Sequence, residues 1–147
     1  MRKTNMRKTK FQNEYYYHIY NRGVDKREVF CDEKDYSRFL ISMRELNNKS
    51  SDSQRDYEKR KIGSNQKLSF GYPKLSFLRM PNLVEFIAYC LKSNHFHFLV
   101  KQKQENGITS FMQKLGTSYT KYFNFKNNRS GSLFQGSYKP VSIKTDE

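Results

Sequence analysis

The 147-residue sequence has no tryptophan, only three prolines and two cysteines, and few acidic residues. Cys31 and Cys90 lie far apart and form no CxxC pair, so the sequence predicts neither a disulfide framework nor a zinc knuckle. No apolar run approaches the roughly 18 residues of a membrane-spanning helix. The basic N-terminus also lacks the hydrophobic segment of a signal peptide. We therefore expect neither a secreted disulfide-rich domain nor a membrane protein.

Basic residues, by contrast, are abundant. The chain has 28 Lys and Arg against 14 Asp and Glu, which gives a formal net charge of +14. Such an excess of one sign predicts a polyanionic partner, either nucleic acid or an anionic membrane surface. The 12 Phe and 11 Tyr residues suit the stacking of bases and equally suit a small core rich in rings. The length fits a single domain over residues 1–147.

Two stretches differ from the rest of this domain. Residues 1–13 contain the tetrapeptide MRKT twice, at 1–4 and at 6–9, and we expect a flexible basic arm there. Residues 48–82 become polar and charged, which predicts a mobile insertion. The cations of this insertion are expected to be a solvated run and not a specific site: Arg55, Lys59, Arg60 and Lys61.

Hydrophobic periodicity predicts six regular elements outside those stretches. They are a strand at 15–20 that breaks at 21–23, a helix capped by Asp32 and reaching residue 46, a central strand at 83–91, a strand at 95–100, a helix at 108–123, and a strand at 133–143. The order strand, helix, strand, strand, helix, strand predicts an α+β fold. We expect the ferredoxin-like βαββαβ arrangement, an antiparallel sheet with helices on one face.

Two of the three histidines, His95 and His97, lie one residue apart in the predicted strand NHFHFLV at 94–100. Alternation along a strand places both imidazoles and Leu99 on one face and the two phenylalanines on the other. Two adjacent imidazoles are close enough to hold one divalent cation. The alternative interpretation is a pair of half-buried strand histidines with ordinary hydrogen bonds.

Five segments in a fixed order carry a family resemblance: YHIYNRG at 17–23, DEKDY at 32–36, NHFHFLV at 94–100, YTKYFN at 119–124 and RSGSLFQG at 129–136. In these segments the chain resembles the REP-associated tyrosine transposases, which are single-tyrosine HUH transposases of insertion sequences. The segments span most of the chain outside the predicted arm and insertion.

The resemblance implies transesterification of single-stranded or hairpin DNA. In such enzymes two histidines and a third polar ligand hold Mg²⁺ or Mn²⁺, which polarises the scissile phosphate. A tyrosine hydroxyl attacks and leaves a 5′-phosphotyrosine link and a free 3′-OH, so that strands can be rejoined without ATP. The implied ligands here are His95 and His97, and two imidazoles favour Mn²⁺ in intrinsic affinity. The resemblance also implies a cytoplasmic, nucleoid-associated protein and a possible homodimer.

The nucleophile has no counterpart in this sequence. In the family the catalytic tyrosine follows the last strand, on a further helix that also supplies the third metal ligand, and here the sequence ends at Glu147. Tyr119 and Tyr122 lie on the apolar stripe of the second predicted helix, where we expect them to pack the core. Residues 1–147 are thus expected to bind DNA and metal without forming the phosphotyrosine link, as a truncated product or a natural derivative.

A few further residues are candidate DNA contacts. His18 is a candidate third metal ligand or phosphate contact, with a hydrogen-bonded strand histidine as the alternative. Asn21 and Arg22 end the first predicted strand, where Arg22 could reach a phosphate or a base edge, or simply form a turn. Lys139 and Lys144 are expected to be solvated charges that help non-specifically through counterion release.

Two other functions fit parts of the pattern. RNA-recognition domains share the predicted architecture and stack bases on sheet aromatics, although here the corresponding face carries histidines. An unrelated metal-dependent hydrolase would need an acidic group near the imidazoles. No Asp or Glu lies between Glu85 and Glu105, which makes this the weaker alternative.

Overall fold

The structure is a computed structural model that describes residues 9–48 and 82–144. The predicted insertion lies outside the described residues except for its end residues Asn48 and Asn82, and so do residues 1–8 of the predicted arm. Four strands and two α-helices occur in the predicted order: β1 (Tyr16–Arg22), α1 (Glu33–Glu45), β2 (Val84–Lys92), β3 (His95–Gln102), α2 (Gly107–Lys126) and β4 (Lys139–Ile143). Among these helices, neither is long and apolar enough to cross a membrane.

The four strands form one sheet in the order β2-β3-β1-β4, and every neighbouring pair is antiparallel. This order follows from the two split βαβ units of a ferredoxin-like fold, in which each helix carries the chain across one intervening strand. The α+β prediction is confirmed. Strands β1 and β3 occupy the centre of the sheet, so the residues they present on either face have strand neighbours on both sides.

One face of the sheet packs against the helices and forms the core. Strand β3 contributes Phe96, Phe98 and Val100, each at most 2% exposed, and β1 contributes the buried Tyr17 and Ile19. The predicted stripe of α2 faces them with Ile108, Phe111, Met112, Leu115, Tyr119 and Phe123. Phe11, within the range predicted as a basic arm, also packs against this core. Among the described residues, eighteen buried apolar side chains form one core cluster on the helix side of the sheet, which leaves the opposite face of the sheet for other contacts.

The ends of the two helices are joined by polar groups. Asp32 caps α1 as predicted, because its Oδ1 accepts the backbone N–H of Asp35 at 3.0 Å. The Asp35 carboxylate is completely buried and accepts from the backbone N–H of Cys31 at 2.9 Å and from Lys126 Nζ at 2.7 Å. A buried charge needs such partners, and these hold the start of α1 against the end of α2.

Three predicted boundaries were wrong. Strand β1 does not break at residue 21, because Asn21 and Arg22 continue the pairing with β3. The apolar run at 83–91 is an edge strand and not a central one: Ile87 and Tyr89 are 48% and 54% exposed beside a bulge in its pairing. The last strand covers only Lys139–Ile143, and the preceding residues form a loop with an isolated bridge from Phe134.

Candidate functional site

The sheet face that carries the histidines is covered by no helix in the part of the chain that the structure describes, and we name it the open face. Directly opposed residues of antiparallel strands share a face, so the register assigns its members. They are Tyr16, His18, Tyr20 and Arg22 on β1, His95, His97, Leu99 and Lys101 on β3, Glu85, Ala88, Cys90 and Lys92 on β2, and Lys139, Val141 and Ile143 on β4. The predicted division of β3 into a histidine face and a phenylalanine face is confirmed.

His95 and His97 have a spacing that fits one metal ion. Their ring centres are 5.2 Å apart and the ring planes are perpendicular. Two imidazoles that bind one ion through nitrogen at about 2.1 Å place their ring centres roughly 4.5–5.2 Å apart for N–metal–N angles of ~90–110°. The two rings could therefore share an ion without a change in the strand backbone.

Asn94 determines which nitrogen of His95 carries the proton. Its Oδ1 lies 2.6 Å from His95 Nδ1, and its Nδ2 donates to the backbone carbonyl of Lys26 at 3.3 Å. The contact to Lys26 orients the amide, so the oxygen and not the nitrogen faces the imidazole. An amide oxygen only accepts, which means that His95 Nδ1 donates and His95 Nε2 keeps a free lone pair.

The turn that carries Asn94 is itself held by the segment that follows β1. The N–H of Gly23 donates to Asn94 O at 2.8 Å, and the N–H groups of Val29 and Phe30 donate to Ser93 O at 2.7 and 3.0 Å. A side chain at position 23 would collide with this segment, because a Cβ there would lie 2.3 Å from the carbonyl oxygen of Arg27. The glycine of the YHIYNRG motif thus lets the chain close tightly behind the β2–β3 turn.

His97 has a different partner, His18 on the neighbouring strand. His97 Nδ1 lies 2.8 Å from His18 Nε2, and the two ring planes are within 14° of parallel. Tyr20 stacks near both rings, with its centre 5.0 Å from that of His18 and 5.7 Å from that of His97. Burial lowers the pKa of His97, and the charges of His18 and His95 lower it further. A lowered pKa favours the neutral form of His97, which is the form that binds a metal ion.

The donor set fits a divalent cation that keeps positions open to other ligands. Residues 9–48 and 82–144 contain no group of three or more His, Cys, Asp or Glu side chains that could hold a metal ion. Within these ranges, the imidazoles of His95 and His97 are the two side chains whose spacing could fit one ion. His18, predicted as a candidate third ligand, directs its Nε2 at His97 instead.

The remaining predicted DNA contacts divide between the two faces. Arg22 lies on the open face, where its Nε donates to Gln135 Oε1 at 2.9 Å, and Lys139 lies opposite Tyr20 on the same face. Asn21 lies on the other side of β1 and donates from Nδ2 to the carbonyl of Gly136 at 3.1 Å. Lys144 follows β4 and is exposed. The structure thus brings Arg22 and Lys139 to the histidines and separates Asn21 from them.

Tyr16, Tyr20, Cys90 and Lys92 are among the members of the open face that sequence reasoning did not single out. Alternation in β1 already placed both tyrosines on the same side as His18, which is the signal that could have found them. Cys90 and Lys92 stand directly opposite His97 and His95. Their positions depend on the register between β2 and β3, and that register is shifted by the bulge between Phe86 and Ala88.

Tyr119 and Tyr122 lie on the opposite side of the sheet from the histidines. Tyr119 is completely buried in the core and donates its hydroxyl to the backbone carbonyl of Val29. Tyr122 donates to Asp35 Oδ1 at 2.9 Å, and burial together with this carboxylate raises its pKa to about 12. Burial also raises the pKa of Tyr119. Both hydroxyls are poor nucleophiles at neutral pH, and the prediction that they pack the core is confirmed.

The Tyr119 hydroxyl is expected to contribute to stability alone. Changing Tyr119 to Phe would leave the buried carbonyl of Val29 without this donor, which should lower the free energy of unfolding by about 1–3 kcal/mol. Mn²⁺ affinity should stay unchanged. Chemical denaturation and calorimetry of the Tyr119→Phe variant test the two expectations together, and a loss of Mn²⁺ binding with unchanged stability would contradict the assignment.

A cavity of about 600 Å³ lies on the helix side of the sheet, between α2 and residues 132–138. It is lined by Phe96, Met112, Gly116, Phe134 and Tyr138 among others. This cavity is lined by neither of the paired imidazoles, and its one lining residue from β1, Asn21, lies on the side of that strand away from the open face. The chemistry-bearing side chains are on the exposed sheet surface, which suits an extended polymer better than a compact ligand.

Comparisons with known proteins agree with the sequence motifs. Residues 76–147, which include β2, β3, α2 and β4, match the family model of IS200-like transposases. A candidate transposase from Deinococcus radiodurans R1 has the same fold, with a TM-score of 0.53 and 13% identity over 98% of this chain and 87% of that chain. A REP-associated tyrosine transposase bound to a REP hairpin has a TM-score of 0.48 and 9% identity over 95% of this chain and 62% of that chain. Comparison with curated proteins gives no match.

The segment that matches the family model contains the histidine strand β3 and the helix α2, which buries the other face of that strand. The similar fold of the Deinococcus structure is consistent with it. The resemblance predicted from the sequence motifs is confirmed: the chain resembles the IS200-like transposases.

Proposed function

We propose that this chain is a transposase-like HUH domain that binds single-stranded or hairpin DNA on its open face and takes part in metal-assisted strand transfer. The observation that carries the proposal is the pair of imidazoles, His95 and His97, whose Nδ1 atoms are both engaged within the protein. This arrangement would leave the two Nε2 atoms available to an ion on an uncovered, basic surface. The match to IS200-like transposases over residues 76–147 supports the same function.

The open face offers the contacts that an unpaired strand needs. Tyr16 and Tyr20 present rings on which bases could stack, and stacking requires bases that are not already paired in a duplex. Arg22, Lys92 and Lys139 are exposed around the histidines and would contact phosphates. A strand that lies across β1 and β3 would thus place a phosphate beside His95 and His97.

His95 and His97 would hold Mg²⁺ or Mn²⁺ through Nε2. Such an ion supplies charge stabilisation on the phosphoryl oxygens and orients the phosphate for in-line attack. The protein's own part would be to hold the two imidazoles fixed in orientation and to bind the strand on both sides of the reacting phosphate. His97 suits metal binding because burial lowers its pKa.

Neither Tyr119 nor Tyr122 acts as the nucleophile in this proposal, because both hydroxyls point into the helix side of the domain. A homodimer and a location at the nucleoid in the cytoplasm follow from the same family resemblance as expectations.

A second candidate is a binding module for single-stranded nucleic acid that performs no chemistry. The observation that favours it is the pair of rings on the central strand β1, Tyr16 and Tyr20, beside a donor set of only two imidazoles in the described ranges. The two candidates share the binding surface and differ in whether the metal takes part. We prefer the metal-assisted function, since a module that only binds nucleic acid would not require hydrogen-bond partners for the Nδ1 atoms of both His95 and His97.

Single-stranded DNA and a hairpin with a single-stranded flank are expected to bind more tightly than random duplex at moderate salt. Fluorescence anisotropy over a salt series measures this preference and the number of phosphates neutralised.

Changing Tyr20 to Ala should weaken single-strand binding by ~1–3 kcal/mol, the usual value of one stacked base. The matched control is Tyr15→Ala, which removes an exposed tyrosine just outside β1. Equal affinity for duplex and single strands, with Tyr20→Ala like wild type, would contradict the proposal.

A further inference from the structure

We propose that His18 and Asn94 are positioning residues, each accepting a hydrogen bond from Nδ1 of one imidazole so that both rings offer Nε2 to the same ion. His18 would serve His97, and Asn94 would serve His95. The inference rests on the proposed function and adds to it two residues that touch neither metal nor DNA phosphate. It also assigns His18 a role that differs from a metal ligand.

The direction of the hydrogen bond between Asn94 and His95 follows from the chemistry of the amide group. The amide is oriented by Lys26 O, so its oxygen faces His95 Nδ1 and that nitrogen has to be the donor. The turn is fixed by three further backbone hydrogen bonds from Gly23, Val29 and Phe30. His95 therefore presents Nε2 with its lone pair free before any ligand arrives.

The direction of the hydrogen bond between His18 and His97 depends on which of the two rings carries the shared proton. Either ring could carry the proton shared between His97 Nδ1 and His18 Nε2, which are 2.8 Å apart. With the proton on His97 Nδ1, the lone pair of His97 is on Nε2, the same ring position as in His95. With the proton on His18 Nε2, His97 would present an N–H that cannot bind a cation. We assign the proton to His97 Nδ1.

The strand geometry explains why a histidine suits position 18. His18 stands opposite Leu99, so it is the diagonal neighbour of His97 on the same face of the sheet. Its ring is nearly parallel to that of His97, and Tyr20 stacks beside both. The rings of His18 and Tyr20 limit rotation of the His97 side chain, while the His18 nitrogen selects the tautomer of His97. Hydrogen-bond partners of metal-bound histidines usually contribute 10–100-fold in metal affinity.

Two substitutions at His18 separate the hydrogen bond from the packing. His18→Gln retains an acceptor at the distance of the ring Nε2 but removes the ring. His18→Phe retains the ring but removes the nitrogen. We expect His18→Phe to bind Mn²⁺ about 10–100-fold more weakly than wild type in calorimetry, and His18→Gln to stay within about threefold of wild type. Thermal unfolding of the metal-free variants checks that both remain folded.

The second readout is the tautomer of each histidine in the metal-free protein, obtained from the ¹⁵N chemical shifts of the ring nitrogens at about pH 7.5, where imidazoles are neutral. We expect the proton on Nδ1 for both His95 and His97 in wild type. His97 should keep that state in His18→Gln and become a mixture of tautomers in His18→Phe. At the other imidazole, Asn94→Asp should keep the Nδ1 proton on His95 and Asn94→Leu should lose it.

Three results would overturn the inference. The first is His97 protonated on Nε2 in the metal-free wild type. The second is the reverse order of affinities, with His18→Phe like wild type and His18→Gln weak, which would show a packing role. The third is an absence of Mn²⁺ binding by wild type, which would overturn the metal-dependent function as well. In the first two cases wild type still binds Mn²⁺, so the proposed function stands while the positioning role fails.

Discussion

Replacing both His95 and His97 with alanine is expected to abolish specific Mn²⁺ binding. Their ring centres are 5.2 Å apart, a spacing that fits one shared ion, and the described residues offer no cluster of three ligands to take their place. The change should leave the fold intact, because the core side of β3 is formed by Phe96, Phe98 and Val100. Calorimetric titration of Mn²⁺ into wild type and the double variant measures the loss.

A matched control for this experiment is Cys90→Ala. Cys90 is exposed on the open face directly opposite His97, so its removal perturbs the same surface without touching an imidazole. The control should give the wild-type isotherm. Equal Mn²⁺ binding by wild type and the double variant would show that the imidazole pair is not the metal site.

The same titration has an expected pH dependence. Protons compete with Mn²⁺ for imidazole nitrogens, so affinity should fall as the pH drops through the range near 6.5 where a free imidazole becomes protonated. Burial lowers the pKa of His97, which means that this ring keeps its lone pair to a lower pH than a solvent-exposed histidine does. Affinity should therefore be constant above about pH 7.5.

Local periodicity was enough to predict the parts of the fold that matter most for this site. The two-residue alternation of β3 separated the imidazoles from Phe96 and Phe98, and a 3.6-residue stripe identified the buried face of α2. The Asp32 cap was predicted because the side chain that accepts the Asp35 N–H is only three residues away. Each of these features depends on neighbours in sequence.

Features that depend on distant neighbours could not be predicted in the same way. The apolar run at 83–91 gave no sign that β2 would be at the sheet edge, because exposed Ile87 and Tyr89 look like buried strand residues in sequence. The contact between His18 and His97 joins residues 79 positions apart. It depends on the register of β1 with β3, which only the paired strands define.

Mn²⁺ and single-stranded DNA are expected to strengthen each other's binding. An ion held by the two imidazoles would attract a phosphate of the strand. The strand would in turn supply oxygen ligands for the coordination positions that the two protein nitrogens do not fill. Such coupling is reciprocal and commonly amounts to ~1–3 kcal/mol, or about 5–150-fold in affinity. A polycation that bound DNA by charge alone would show the opposite trend, because Mn²⁺ would compete for the phosphates.

The most direct measurement is the affinity for a single-stranded oligonucleotide with and without Mn²⁺ at constant ionic strength, in wild type and in the His95→Ala, His97→Ala variant. The account predicts that Mn²⁺ tightens wild-type binding at least about fivefold and does not tighten binding by the variant. Weaker binding on Mn²⁺ addition, or the same gain in both proteins, would contradict a shared site for metal and DNA on the open face.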